Sequence, residues 1–151
     1  MVRTSDGISF VACDLEVSQD NATWTDLTNY GSSVGTSGGD RATGEANVFG
    51  DEIPIVKAGK KASRDLVFRF VYTEGDLEPF HVIRGWDLTE GGIIYARYWP
   101  KGKHDLNYGF TSGKAIITHY DDPSGEAGPG EVVMIELAMK CEEIAEALAI
   151  S

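Results

Sequence analysis

From Leu66 to Tyr72 the chain sets Leu66, Phe68, Phe70 and Tyr72 against Val67, Arg69, Val71 and Thr73, and this two-residue period constrains the fold more than any other feature. Successive side chains of an extended strand point to opposite faces, so such alternation describes a strand with one buried face. Its β-branched and aromatic content predicts a central strand. Ile93 to Trp99 reads as a second strong strand. Near the start, Val11, Cys13, Leu15 and Val17 alternate with Ala12, Asp14 and Glu16, which gives a strand whose second face is acidic. Near the end, Val133, Ile135, Leu137 and Met139 share one face, with Glu136 and Lys140 on the other. Lys114 to Tyr120 adds a further strand. After the turn Ser18-Gln19-Asp20-Asn21, Thr23 to Leu27 reads as a short one with Trp24 and Leu27 pointing inward. The residues therefore predict a mainly β chain.

Between the two strongest strands the period changes. Asp76 is placed to cap a helix, and Pro79 fits its first turn, where the missing amide hydrogen is not needed. Phe80, Ile83 and Trp86, flanked by Val82, give that short helix one apolar face, suited to covering the end of a sheet. Gly91-Gly92 ends it. Gly31 to Glu52 is rich in Gly, Ser and Asp with little apolar periodicity, which predicts a long loop or a loosely paired extended excursion. Ile53 to Val56 is extended, and Pro54 suits an edge because it lacks an amide donor. Lys57, Lys60, Lys61 and Arg64 follow within eight residues and supply four of the chain's 13 basic side chains. Together residues 31–64 read as one long arm. Asp121 to Gly130 is a turn-rich link, and from Glu142 onward local propensity favours a helix or a frayed tail. No repeat or composition break divides residues 1–151, so a single domain is expected.

Composition removes several functions. A net charge of −11 argues against affinity for nucleic-acid phosphates, which requires clustered Lys and Arg. No apolar run follows Arg3, and none approaches the ~20 residues of a spanning helix, so neither leader nor membrane anchor is expected. Cys13 and Cys141 stand near opposite ends and read as two buried thiols in preference to a disulfide. Gly35-Thr36-Ser37-Gly38-Gly39 matches a hydrolase nucleophile elbow, but Ser37 lies in a polar stretch without the strand before it and helix after it that an elbow needs. His81, His104 and His119 are scattered without metal-ligand spacing, and Asp121-Asp122 lacks the spacing of a calcium loop. No catalytic residue, metal or cofactor is therefore expected. Tyr95, Tyr98 and Trp99 leave one alternative open, a carbohydrate-binding β-sandwich, because aromatic faces stack on sugars.

Certain pieces, in this order and spacing, resemble the major tail tube protein of long-tailed bacteriophages. They are the opening strand with Thr23-Trp24-Thr25-Asp26-Leu27, then Gly44-Glu45 and Pro54-Ile55-Val56-Lys57-Ala58-Gly59-Lys60-Lys61. Phe70-Val71-Tyr72-Thr73-Glu74-Gly75, the Glu78 to Trp86 helix and Arg97-Tyr98-Trp99-Pro100-Lys101-Gly102 continue the series. The resemblance spans about nine-tenths of the chain. It implies two packed antiparallel sheets, a β-sandwich or open barrel, with one flanking helix and long contact loops. It also implies six copies in a ring, rings stacked head-to-tail into a virion tail tube assembled in the host cytoplasm, and passage of genomic DNA without specific binding. Tail tip or initiator, tape-measure and terminator proteins would be partners, and no membrane would be involved. Tail terminators and type VI secretion tubes are the nearer alternatives within the resemblance. It implies an extended arm for residues 142–151, against their helical propensity. Within this reading Lys57, Lys60, Lys61 and Arg64 are either stacking contacts or a solvated turn. Asp14 and Glu16 either line the lumen or face outward.

Overall fold

A computed structural model describes residues 12–47, 49–50, 53, 55–75, 78–89, 91–103, 107–125, 130 and 132–148. Val11, Pro54, Asp76 and His104 lie outside these residues, so the expectations placed on them do not enter below. The chain builds β1 (Asp14–Ser18), β2 (Trp24–Asp26), β3 (Gly31–Gly38), β4 (Arg41–Ala46), β5 (Ile55–Lys61) and β6 (Arg64–Val71). Helix α1 (Pro79–Thr89), the single α-helix among the described residues, follows, then β7 (Ile93–Trp99), β8 (Tyr108–Tyr120), β9 (Met134–Cys141) and β10 (Ala145–Leu148). The mainly β architecture with one short helix is as the sequence implies. Its two sheets are unequal. One has eight strands in the order β2-β1-β7-β8-β9-β6-β3 with β10 also on β8, and the other is the two-stranded ribbon β4-β5.

The large sheet keeps its apolar residues on one face. Leu15 and Val17 of β1, Leu66, Phe68 and Phe70 of β6, Ile94, Ala96 and Tyr98 of β7, and Ile135, Leu137 and Met139 of β9 are all buried. Each large apolar side chain buried there contributes roughly 1.5–3 kcal/mol, and this burial drives the sheet to curl. Phe68 and Tyr98 meet edge-to-face at 6.3 Å although two strands separate β6 from β7 in the sheet. The corner after β2 brings the two ends of the sheet together. Leu27 is fully buried and its N–H donates to the Leu15 carbonyl at 2.8 Å, while the Tyr30 carbonyl accepts from Val71 at 2.8 Å. A Cβ on Gly31 would lie 2.4 Å from Leu15 Cδ1, so a side chain there would hold β1 and β3 apart. The Asp20 carboxylate shapes the preceding turn by accepting the N–H groups of Ala22 and Thr23, each at 2.9 Å. Those bonds favour its charged form and lower its pKa.

At one end α1 covers the opening. Pro79 takes its first position, Phe80 and Ile83 are buried and Trp86 is half-buried, as the spacing implies. Phe80 stacks on Tyr120 at 5.4 Å and meets Tyr72 edge-on at 4.9 Å. The Tyr120 hydroxyl donates to the Phe80 carbonyl at 2.8 Å, tying helix to sheet. Among the described residues no helix is long and apolar enough to cross a membrane.

Two local readings change, and two resolve between alternatives that the sequence leaves open. Gly31 to Gly38 is a strand paired along β6, because β6 offers a free ladder to a flexible Gly/Ser segment. Lys57 to Lys61 belongs to strand β5, and Ala62 and Ser63 connect it to β6 while hydrogen-bonding across to Asp40 and Gly39. Trp24 lies opposite Ser18, on the outer face of the sheet, while Leu27 points inward. The C-terminal segment forms β10. Cys141 of β9 sits opposite Ala115 and Ala145 of β10 opposite Thr111, four residues on along each chain. β10 thus continues the β9 ladder along β8 past a break, and ladder hydrogen bonds override helical propensity there.

Candidate assembly surfaces

The ribbon β4-β5 is the least self-sufficient part of the chain. Every residue in both strands is exposed. A two-stranded hairpin is marginal in water without a third strand or a packed face, so this one invites a partner. Its stem carries Arg41, Lys57, Lys60 and Lys61 against the single acid Glu45, in a chain of net charge −11. Its tip exposes Phe49 and Ile53, and Ile55 and Val56 follow. Basic stem and apolar tip together describe a contact surface. The foot is defined: Gly39 N–H donates to the Ser63 carbonyl at 3.0 Å and Ala62 N–H to the Asp40 carbonyl at 2.8 Å. Gly38 and Gly39 have φ of 76° and 79°, a left-handed pair that lets the chain leave the sheet.

The four basic residues singled out in the sequence separate here. Lys57, Lys60 and Lys61 project from the exposed ribbon, whereas Arg64 begins β6 and is half-buried. The Arg64 side chain crosses Gly39, where a Cβ would approach its Cδ to 2.2 Å, and its Nε is enclosed without a hydrogen-bond partner in the structure. It packs the foot of the ribbon.

Asp14 and Glu16 do share one face of β1, pointing away from the core, and both are engaged. Glu16 Oε1 accepts from Arg97 Nε at 2.7 Å and from Lys103 Nζ at 3.3 Å. Asp14 Oδ2 accepts the Lys103 backbone N–H at 2.6 Å. The Arg97 guanidinium carbon lies 3.7 Å from the Trp24 ring centroid and 5.2 Å from that of Trp99. This is a cross-strand cluster of charges and indoles, with its two carboxylates matched by two cations.

Three solved structures share this arrangement. A chain of the six-fold symmetrised anti-feeding prophage baseplate aligns with a TM-score of 0.69 at 11% identity, covering 99% of this chain and 100% of that one. A chain of the PVC extracellular contractile injection system, in its sheath–tube complex in the extended state, aligns at 0.68 with 15% identity over 96% of this chain and 94% of its own. The SPP1 tail tube aligns at 0.66 with 15% identity, over 96% of this chain and 81% of that one. The chain has the tail-tube fold. No family model and no curated protein sequence matches it.

In this tail-tube fold the sheet ends are β2 and β3. β2 is only three residues long, whereas β3 presents eight residues, Gly31 to Gly38, without a Lys or Pro to discourage pairing. The Leu66 to Tyr72 stretch, expected from its sequence to be central, is held as β6 between β9 and β3. The long open edge of the sheet is β3. That role was hidden because Gly, Ser and Thr carry no strand periodicity.

Other candidates dissolve on inspection. Tyr98 and Trp99 are 8% and 6% exposed, and Tyr98 stacks on Phe110 at 5.3 Å, so the aromatic row offers no platform for a sugar. Ser37 lies in β3 opposite Asp65 and precedes no helix. Cys13 and Cys141 are free thiols. Burial pushes the Cys13 thiol up to about 11, assisted by the nearby Asp14 carboxylate, and burial raises Cys141 as well. Two groupings were not visible in sequence: the Glu16–Arg97–Trp24 cluster, and the trio His119, Asp121 and Glu136. The first joins strands far apart in the chain, and the second joins the consecutive strands β8 and β9 across their connecting link.

Proposed function

We propose that this chain is a non-enzymatic structural subunit of a virion tail, in which copies close into six-membered rings and rings stack head-to-tail into a tube that conducts DNA. The observation that carries the reading is the fully exposed ribbon with its basic stem and apolar tip. A single copy leaves that surface in water, while a stack of copies covers it. The tail-tube fold and the open edge of β3 support the same reading, since lateral pairing between copies would satisfy the β3 backbone.

Electrostatics supplies the rest. Lys57, Lys60 and Lys61 would meet carboxylates of the next ring, with Arg64 bracing the ribbon foot. A strongly acidic tube passes DNA without holding it, because phosphates are repelled and no counterion release favours adhesion. In this proposal Asp14 and Glu16 face the lumen, though Arg97 and Lys103 offset their charge locally. Assembly would take place in the host cytoplasm with tail-tip, tape-measure and terminator proteins as partners. Similarity to a contractile injection system's sheath–tube complex favours, as second reading, a secretion tube subunit.

Negative-stain microscopy of the purified chain at high concentration, with tail-tip initiators added, tests the proposal. Six-membered rings stacked into hollow tubes are expected. Persistent monomers under those conditions would exclude a tube role.

A further inference from the structure

We propose that the outer face of β8 and β9 carries a binding site for a borderline divalent cation such as Zn2+, formed by His119, Asp121 and Glu136. The site begins with a bulge. Along β8, Ala115 and Ile117 point into the core, and strict alternation would send residue 119 after them. The register shifts between Ile117 and His119, so Thr118 and His119 are both exposed and Tyr120 turns inward to reach the Phe80 carbonyl. Bulges re-aim side chains, and this one places His119 on the same face as Asp121.

Glu136 joins them from β9. One ligand atom from each of the three residues lies within 4.8 Å of the others. His119 Nε2 contacts Asp121 Oδ1 at 2.5 Å, and Asp121 Oδ2 accepts the Glu136 backbone N–H at 3.1 Å, which fixes the carboxylate. Arg69 Nη2 donates to Glu136 Oε1 at 3.0 Å and holds that side chain while its second oxygen can bind a cation. These are the supporting hydrogen bonds that ligand groups need to be oriented.

The donor set selects the ion. One imidazole with two carboxylates suits Zn2+ and its neighbours, whereas Ca2+ and Mg2+ prefer an all-oxygen shell. Ligand bonds of about 2.0–2.2 Å put donors about 3–3.5 Å apart, so the trio closes on the ion by small movements of exposed side chains. Two carboxylates beside one guanidinium leave the site negative. A cavity of about 140 Å³ lined by Arg69, Asp121, Met134, Ile135 and Glu136 adjoins it, enough for the waters that complete the shell. This inference is independent of the tube reading.

Titration calorimetry with Zn2+ on the chelator-stripped full chain tests it. One ion per chain and a raised Tm are expected. His119→Ala and Asp121→Asn should each weaken binding by about tenfold or more while circular dichroism confirms the fold. His81→Ala, His104→Ala and a Cys13→Ser/Cys141→Ser double variant should bind as the parent does. Absence of saturable binding, binding indifferent to His119→Ala, binding lost in the cysteine variant, or Ca2+ bound as tightly as Zn2+ would each overturn the proposal.

Discussion

The guanidinium carbon of Arg97 lies 3.7 Å from the ring centroid of Trp24, and the same side chain donates to Glu16 at 2.7 Å. Three strands, β2, β1 and β7, are thereby clasped on the outer face at the sheet end where the ladder is shortest. Both charged side chains are largely screened from water, at 26% and 15% exposure. Charge and stacking act together here, and a planar guanidinium satisfies both where an ammonium satisfies one.

Arg97→Lys should therefore destabilise the chain by about 1 kcal/mol, and Arg97→Ala by about 1–2 kcal/mol. Urea unfolding gives the measurement. A lysine variant with the parent's midpoint would show that stacking on Trp24 adds nothing.

Closure of the sheet makes a second pair of substitutions informative. A Cβ at Gly31 meets Leu15 at 2.4 Å, while one at Gly35, also in β3, meets nothing within 4 Å. Gly31→Val should cost about 1–3 kcal/mol by overpacking the join. Gly35→Ala should stay within about 0.5 kcal/mol of the parent. Equal losses in the two variants would mean that the approach of β1 to β3 does not set the requirement at Gly31.

Buried acids give the alkaline limit of stability. Cys13 is raised from 9.0 to about 11 by burial. Tyr120 is raised from 10.0 by burial, partly opposed by Arg84. In each case the unfolded chain loses its proton first, so above pH 9–10 the folded state holds more protons and stability falls as pH rises. Below pH 9 neither group contributes a slope. Tyr120→Phe should lose about 1 kcal/mol at neutral pH through the missing bond to Phe80, yet show a shallower decline above pH 10. Thermal unfolding from pH 7 to pH 11 reads both effects, and an identical alkaline decline in the variant would remove Tyr120 from the account.

How much of this was legible in the sequence follows from what each residue reports. Leu66 to Tyr72, Ile93 to Trp99 and Val133 to Met139 show their strands because one face is buried and the period survives. Phe80, Ile83 and Trp86 show the helix for the same reason. β3 is silent since its Gly and Ser residues pair through backbone alone. β4 and β5 are silent because neither face is buried within one copy. The Ala145 to Leu148 strand contradicts its own propensity, and only the adjoining ladder of β8 explains it. Trp24 misled because an indole can also be half-covered away from the core, here by Arg97. The meeting of His119 with Glu136 across β8 and β9 needs the bulge at Thr118 to exist, and no spacing rule announces a bulge.

The ribbon provides the last prediction, which separates folding from assembly. Lys60→Glu with Lys61→Glu, and separately Phe49→Ser, alter only exposed side chains, so each variant should unfold within about 0.5 kcal/mol of the parent. Assembly should respond. Reversing two charges on a basic arm turns attraction for an acidic neighbour into repulsion, and growth measured by light scattering should slow by on the order of tenfold at low salt. Added salt should narrow the gap between parent and charge variant, because exposed charges are screened beyond about 8 Å at physiological ionic strength. It should leave the Phe49→Ser defect in place, since apolar burial is not screened. Tubes growing at the parent's rate and length from both variants would show that stacking relies on other surfaces, with β3 the first to examine.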